Sequence, residues 1–312
     1  MASLDVRHAL GVVLIAVLVA SSPMLAGAMS TNATANSTDT DWTQPRADGG
    51  NTGAVDESGP SPYPQLAWKG ETGGHPVGIA VAGETAYVAT GNGPGEDRLE
   101  ARNATTGDVQ WSKSVDRRVR TGPFVAGETV YVGAPGPETS EPVEDGLIAF
   151  NATSGERRWQ QNATTAELVF DGEYFYDAST AVNATTGEVV WNTTRYGEAV
   201  AVAGDRLYVR NDEQRHHKTW LVAVNATTGA TVWNRTVPAE TEVSVATSGG
   251  LYATNERNGT VAAYEPADGS LRWSKSVEPA VLENGGTVTG LSGLAAENGT
   301  VYVTADEKES AS

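Results

Sequence analysis

From residue 78 to residue 305 the chain is a succession of short apolar runs broken by glycine-centred turns, and no stretch keeps a helical period. One kind of run reads strand, tight turn, strand. It occurs as GIAVAGETAYVATG (78–91), GPFVAGETVYVGAPG (122–136), ELVFDGEYFYDAS (167–179), AVAVAGDRLYVRN (199–211), VSVATSGGLYATN (243–255) and GLAAENGTVYVTA (293–305). β-branched and aromatic residues alternate with smaller ones in each, as they do on a pleated surface, and the glycine supplies the turn.

A second kind of run lies between the first. Aligned on tryptophan, it gives ARNATTGDVQW ending at Trp111, AFNATSGERRW at Trp159, AVNATTGEVVW at Trp191, AVNATTGATVW at Trp233 and AYEPADGSLRW at Trp273. Ala101, Ala149, Ala181, Ala223 and Ala263 stand ten residues before the tryptophan, and Gly107, Gly155, Gly187, Gly229 and Gly269 stand four before it. The first half reads as a strand, the Asn-x-x-Thr-Gly part as a turn, and the tryptophan lies on the returning strand. Such a hairpin sets the small alanine near the bulky indole, which predicts a structural docking role for these residues.

The two kinds of run together make four strands per unit. Trp68 and the five repeat tryptophans, ending at Trp273, are spaced on average 41 residues apart. A repeated four-stranded unit of that length predicts an all-β fold, a β-propeller of antiparallel blades, since one such sheet has two apolar faces and stacking buries both. About six blades are expected, five complete. After Trp273 the sequence offers one more strand pair and no second hairpin, while Trp68, in YPQLAWKGET (63–72), lies on a strand with no hairpin before it. The Trp68 strand is therefore expected to pair with the sheet formed by Gly293 to Ala305 and close the incomplete sixth blade.

The leader changes the picture of where this propeller works. Arg7 and His8 precede the apolar run Ala9 to Ala20, and Ala26 and Ala28 match a small-residue cleavage pattern. Residues 1–28 read as a signal peptide or an uncleaved N-terminal anchor, 29–41 as a Ser/Thr/Asn-rich stalk, 42–306 as the propeller and 307–312 as a tail. An extracellular or cell-surface location is expected, with membrane contact only through the N-terminal segment. Thirty-nine acidic residues against 21 basic ones leave a formal charge of −18, which repels phosphate backbones and argues against nucleic-acid binding. The same surface suits concentrated salt, where like charges are screened.

Candidate chemistry is sparse. With no cysteine, thiolate metal sites, disulfides and cysteine nucleophiles are excluded. His8 is in the leader, and His216 and His217 are adjacent in a loop, where side chains of extended chain point apart. The glycine-rich Gly91–Arg98 stretch lacks the following helix of a phosphate cradle, and Gly290 lacks the strand–helix setting of a nucleophile elbow. No catalytic, cofactor-binding or metal residue is assigned. Eleven Asn-x-Ser/Thr triplets suit an exported glycoprotein; those at Asn103, Asn151, Asn183 and Asn225 are explained by the repeat turn, whereas Asn32, Asn36, Asn162, Asn192 and Asn234 are candidate glycosylation sites.

The pattern A-x-[DN]-x-x-[TS]-G-x-x-x-W resembles the tryptophan-docking motif of the PQQ-like (quinoprotein and BamB-type) β-propeller family. The v-x-x-G-x-x-Y-V strand pairs and the lead-in DWTQPRADGGNTGAV (41–55) resemble it too, over about residues 41 to 306. The resemblance implies either a quinoprotein dehydrogenase or a non-enzymatic member. Quinoprotein dehydrogenases of the family share a vicinal cysteine pair, a calcium held by Glu, Asn and Asp, and a catalytic aspartate. A chain without cysteine, and with no region outside the repeats to supply such a site, is similar to the non-enzymatic branch. It is expected to be a binding or scaffold module without cofactor, with a protein or envelope partner. The alternatives are a PQQ-dependent dehydrogenase and a structural component of the envelope. The expected contact surfaces are the loops Gly91–Arg98, Pro135–Asp145 and Asp212–Lys218.

The charge has a direct consequence. The thermal midpoint should rise as salt goes from dilute to molar, because screening relieves repulsion among the excess carboxylates. A flat or falling curve in a calorimetric salt series would count against salt adaptation.

Overall fold

The computed structural model describes residues 41–45, 48–49, 51, 66–91, 97–116, 118–134, 146–162, 168–194, 197–213, 218–255, 259–276, 280–281, 287–297 and 300–307. Every regular element among them is a strand. The leader, the stalk with Asn32 and Asn36, and most of the three expected contact loops lie outside the described residues.

The first blade is β1 (His75–Ala82), β2 (Thr85–Gly91), β3 (Arg98–Asn103) and β4 (Val109–Ser114). The second is β5 (Thr121–Ala126), β6 (Thr129–Ala134), β7 (Gly146–Asn151) and β8 (Arg157–Asn162). The third is β9 (Val169–Phe170), β10 (Tyr174–Tyr176), β11 (Thr180–Asn183) and β12 (Val189–Asn192). The fourth is β13 (Glu198–Ala203), β14 (Arg206–Glu213), β15 (Lys218–Asn225) and β16 (Thr231–Val237). The fifth is β17 (Thr241–Thr247), β18 (Gly250–Asn255), β19 (Thr260–Tyr264) and β20 (Leu271–Ser276). Each is a four-stranded antiparallel meander, and β21 (Ala280–Val281), β22 (Thr287–Glu297) and β23 (Thr300–Glu307) form a three-stranded sixth sheet.

One cross-section recurs through the five complete blades. A tyrosine of the second strand faces the repeat alanine of the third, which faces the repeat tryptophan of the fourth. The rows are Tyr87–Ala101–Trp111, Tyr131–Ala149–Trp159, Tyr176–Ala181–Trp191, Tyr208–Ala223–Trp233 and Tyr252–Ala263–Trp273. Each alanine is fully buried. Because a methyl group fills so little space, the two rings meet above it, with centroids 5.8 to 6.4 Å apart. A bulge follows each alanine and turns the fourth strand outward. Burial pushes the Tyr208 phenol up to about 12 and raises those of Tyr87 and Tyr131, so these rings stay neutral inside the stack.

Alternate residues of the same strands face the neighbouring blade on the other side. Tyr208, Leu221 and Trp233 pack toward the fifth blade, while Leu207, Val209, Val222 and Val224 pack toward the third. The core is accordingly a set of inter-blade layers, one at each seam from the first blade to the sixth sheet. The third blade is the smallest. Asp171 Oδ1 accepts the amides of Glu173 and Tyr174, and Asp177 Oδ1 accepts those of Ser179 and Thr180, so carboxylate-built turns stop β10 after three residues.

Four of the repeat tryptophans, Trp111, Trp159, Trp191 and Trp233, complete their role on the next blade. The Trp191 indole N–H donates to Ala226 O at 2.7 Å and its ring lies on Gly229, where an added Cβ would come within 2.8 Å of it. Gly229 also has φ +71°, so it is required twice over, for space and for backbone. Trp111 repeats this on Ala152 and Gly155, Trp233 on Pro266 and Gly269, and Trp159 covers Gly187 although its N–H has no partner among the described residues.

Trp68 departs from the expected pairing. Its indole donates to Ala104 O at 2.8 Å and lies on Gly107, so it makes the docking contact that a sixth blade owes to the first. Yet Leu66–Thr72 pair with no strand among the described residues, and the Gly293–Ala305 ladder runs only between β22 and β23. The docking contact and the Arg102 bond to Glu71 O hold this stretch against the first blade. The short β21 was not foreseen either; it pairs with Thr287 and Val288 at the start of β22.

Trp191→Ala or Trp233→Ala should cost about 3–5 kcal/mol of stability, as for a buried large aromatic. Trp220, half-buried on β15 and outside the motif, should cost clearly less in the same denaturant titrations. Equal losses at all three positions would remove the docking role.

Candidate functional site

The repeat residues are consumed by the ring itself. In four copies the turn asparagine accepts, through Oδ1, the amides two and three residues on: Asn103 from Thr105 and Thr106, Asn151 from Thr153 and Ser154, Asn183 from Thr185 and Thr186, Asn225 from Thr227 and Thr228. These Asx turns place the glycine under the incoming indole. Sequence reading therefore identified scaffold positions, and two polar constellations escaped it.

The first is a strap. Residues 41–45, 48, 49 and 51 lie against the first strands of four successive blades near their hairpin turns. Trp42 O accepts the amide of Val81 on β1, Thr43 O that of Val125 on β5, and Gly49 O that of Val202 on β13, at 2.6 to 2.7 Å. Asp41 Oδ1 takes the amide of Gly83, and Asn51 Nδ2 donates to Val200 O. Gly49 touches the third blade as well: a Cβ there would lie 2.6 Å from both Phe170 O and Val202 Cγ1. Beside it opens a shallow pocket of about 530 Å³ lined by Asp48, Asp171, Glu173 and the Val202–Gly204 turn. The Tyr176 hydroxyl donates to Asp171 Oδ2 at 2.8 Å, and burial together with that carboxylate raises its pKa.

The second is a buried ionic seam on the first blade. In the second, fourth and fifth blades, the residues flanking the repeat alanine face the preceding blade and are apolar: Ile148 and Phe150, Val222 and Val224, Ala262 and Tyr264. The first blade has Glu100 and Arg102 there, 8% and 6% exposed. Arg102 donates twice to Glu100 Oε2, at 2.6 and 3.1 Å, and also to Glu71 O and Gly107 O. Ser112 Oγ donates to Glu100 Oε1 and receives Arg98.

A family profile described as "Outer membrane protein assembly factor BamB" matches residues 41–176, 144–218, 176–242 and 217–311, nearly the whole propeller. The chain belongs to the BamB-type family of PQQ-like propellers. Among solved structures it is similar to BamB from Moraxella catarrhalis, at 17% identity over 77% of this chain and 83% of that one, TM-score 0.45. It is also similar to the computationally designed Ika8 protein, at 11% identity over 78% and 87%, TM-score 0.44. No curated protein matches it.

Further features of this BamB-type propeller follow from the ring. Clefts of about 470 and 390 Å³ lie at equivalent places, one between the first and second blades and one between the fourth and fifth. The second is flanked by Val237, Thr241, Asn255 and Tyr264. Asn255 Nδ2 is spent there on Ala239 O and Thr241 Oγ1. Among the described residues no three histidines or carboxylates gather as a metal site would require. Asn192 and Asn234 follow docking tryptophans on the fourth strands and are exposed, whereas the turn asparagines are half-buried. Asn162 ends β8.

Removing one partner of the buried seam should be costly. Arg102→Ala strands the Glu100 carboxylate and should lower stability by about 3–5 kcal/mol, while the double change Glu100→Leu with Arg102→Met should be near neutral. Urea unfolding of the two variants checks this; equal losses would deny the pair its role.

Proposed function

We propose that this chain is an exported, non-catalytic propeller acting as a binding or scaffold module at the cell surface, working through an envelope protein. One observation carries the reading: most of the polar groups of the repeat are engaged in building its turns or in holding blades together. Asparagine Oδ1 atoms serve their own turns, and four of the five docked indole N–H groups reach the carbonyl of the next blade. What this leaves for a partner is a rigid surface with loops on its faces. Membership of the BamB-type family supports the same kind of role.

The test is cross-linking of the tagged full chain in intact cells at native salt, beside an assay for dye-linked alcohol oxidation with added PQQ and calcium. A specific envelope protein should be cross-linked and no oxidation should appear; PQQ-dependent oxidation would overturn the reading in favour of a quinoprotein dehydrogenase.

Export also predicts where sugar is attached. Asn192 and Asn234 are exposed with exposed threonines, Thr194 and Thr236, two residues on, while Asn103, Asn151, Asn183 and Asn225 hold their amide side chains in turns. Glycopeptide mass spectrometry of the native protein should find glycan at the first pair and none at the four turns. The reverse distribution would separate accessibility from modification.

A further inference from the structure

The row of tyrosine, alanine and tryptophan that crosses every complete blade is broken at the sixth sheet. Tyr87, Tyr131, Tyr176, Tyr208 and Tyr252 are 9% exposed or less, each covered on its own sheet by the alanine opposite and the tryptophan beyond. Tyr302 holds the same place, second in its hairpin and between two valines, and is 56% exposed. The cause is the position of β23: it pairs with β22 on one side and is the last strand of its sheet among the described residues. The fourth-strand contact is already made by Trp68 on Gly107. Among the described residues no strand follows β23 in this row.

We propose that β23 is a docking edge for an extended strand of a partner protein, added antiparallel, with a small residue opposite Tyr302 and a basic residue opposite Glu307. This rests on the reading of the propeller as a binding module and names the chemistry of its partner. Direction and size come from the five complete blades, in each of which the second and third strands are antiparallel and alanine faces the tyrosine. The basic residue comes from the blade most like the sixth. β14 and β23 have the same length, RLYVRNDE and TVYVTADE, with the tyrosine and the terminal Asp-Glu in the same places. The strand that covers β14 sets Ala223 opposite Tyr208, Thr219 opposite Asp212 and Lys218 opposite Glu213, and the Thr219 hydroxyl bonds Asp212 Oδ1 at 2.7 Å.

Two facts favour a foreign strand over a second copy. A chain of charge −18 repels itself, and Asp306 and Glu307 of one copy brought to another would add to that repulsion. The edge also lacks the usual guards. Fourth strands, which are edges in every blade, mostly carry cations: Lys113 on β4, Arg157 and Arg158 on β8, Arg235 on β16, Arg272 and Lys275 on β20. Thr300 to Ala305 carries neither charge nor proline. An unguarded edge with an uncovered aromatic is the surface that strand addition uses: main-chain bonds hold the strand, and alternate side chains select it.

The probe is a synthetic peptide of the β15 sequence, Lys218–Asn225, added to the full-length protein and followed by hydrogen–deuterium exchange. Exchange at residues 300–307 should slow, and both Tyr302→Ala in the protein and Ala223→Trp in the peptide should weaken binding by roughly tenfold or more. Because Tyr302 is exposed, its replacement leaves the fold intact. No slowing at saturating peptide, or equal binding of the Ala223→Trp peptide, overturns the proposal. Protection of 300–307 that grows with protein concentration and no peptide assigns the edge to a second copy and overturns it too. If Tyr302→Ala still cross-links the same envelope protein, the edge is wrong while the module reading stands. Loss of every cross-link in the unaltered protein removes both.

Discussion

An indole ring lying on a glycine of the next blade is the contact on which this molecule depends. No other residue fits beneath it, since a Cβ at Gly107, Gly155, Gly187, Gly229 or Gly269 would fall 2.6 to 2.8 Å from ring carbons. Once the ring is fixed there, its other neighbours follow. Its strand bulges outward, the residue opposite is alanine so that tyrosine can reach the same ring, and in four of the five turns an Asx bond holds the glycine with its bare face presented. The recurrence of four residue types in register is one packing problem solved at successive seams.

Such an arrangement is built from nearest neighbours, so its weak places are its ends. At the first blade a buried Glu100–Arg102 pair stands where other blades carry apolar side chains, and it binds the Trp68 stretch through Glu71 O. The strap at residues 41–51 adds something the repeat alone does not provide. By taking amides from β1, β5 and β13, it ties together blades distant in sequence.

The sequence was legible where the physics is local. A glycine four residues before a tryptophan, and an alanine ten before it, report a turn and a cross-strand pair, so the blades and their docking residues could be read from spacing. The strap could not. Its bonds to Val81, Val125 and Val202 use backbone carbonyls of Trp42, Thr43 and Gly49, and a carbonyl leaves no mark on the sequence. Glu100 and Arg102 read as ordinary alternating strand charges, and only the ring shows that they stand where other blades bury apolar side chains. The Trp68 strand was misjudged for a related reason. A lone tryptophan reveals what it docks on, and says nothing of which strand, if any, lies beside it.

Charge placement argues for the kind of partner such a scaffold selects. Its cations are few, and many are committed at short range: Arg210 to Glu198, Arg272 to Glu265, Arg206 to Asp205, Arg102 to Glu100. Pairs of this sort cancel a carboxylate locally and leave the remaining excess of negative charge to set the outer field. A phosphate-bearing partner meets that field as a barrier, whereas a segment carrying lysine or arginine is drawn in. In concentrated salt the long-range part of this attraction is screened, so recognition must rest on contacts made within a few ångströms. Main-chain pairing and a side chain seated against an aromatic ring are contacts of that kind, and salt does not weaken them.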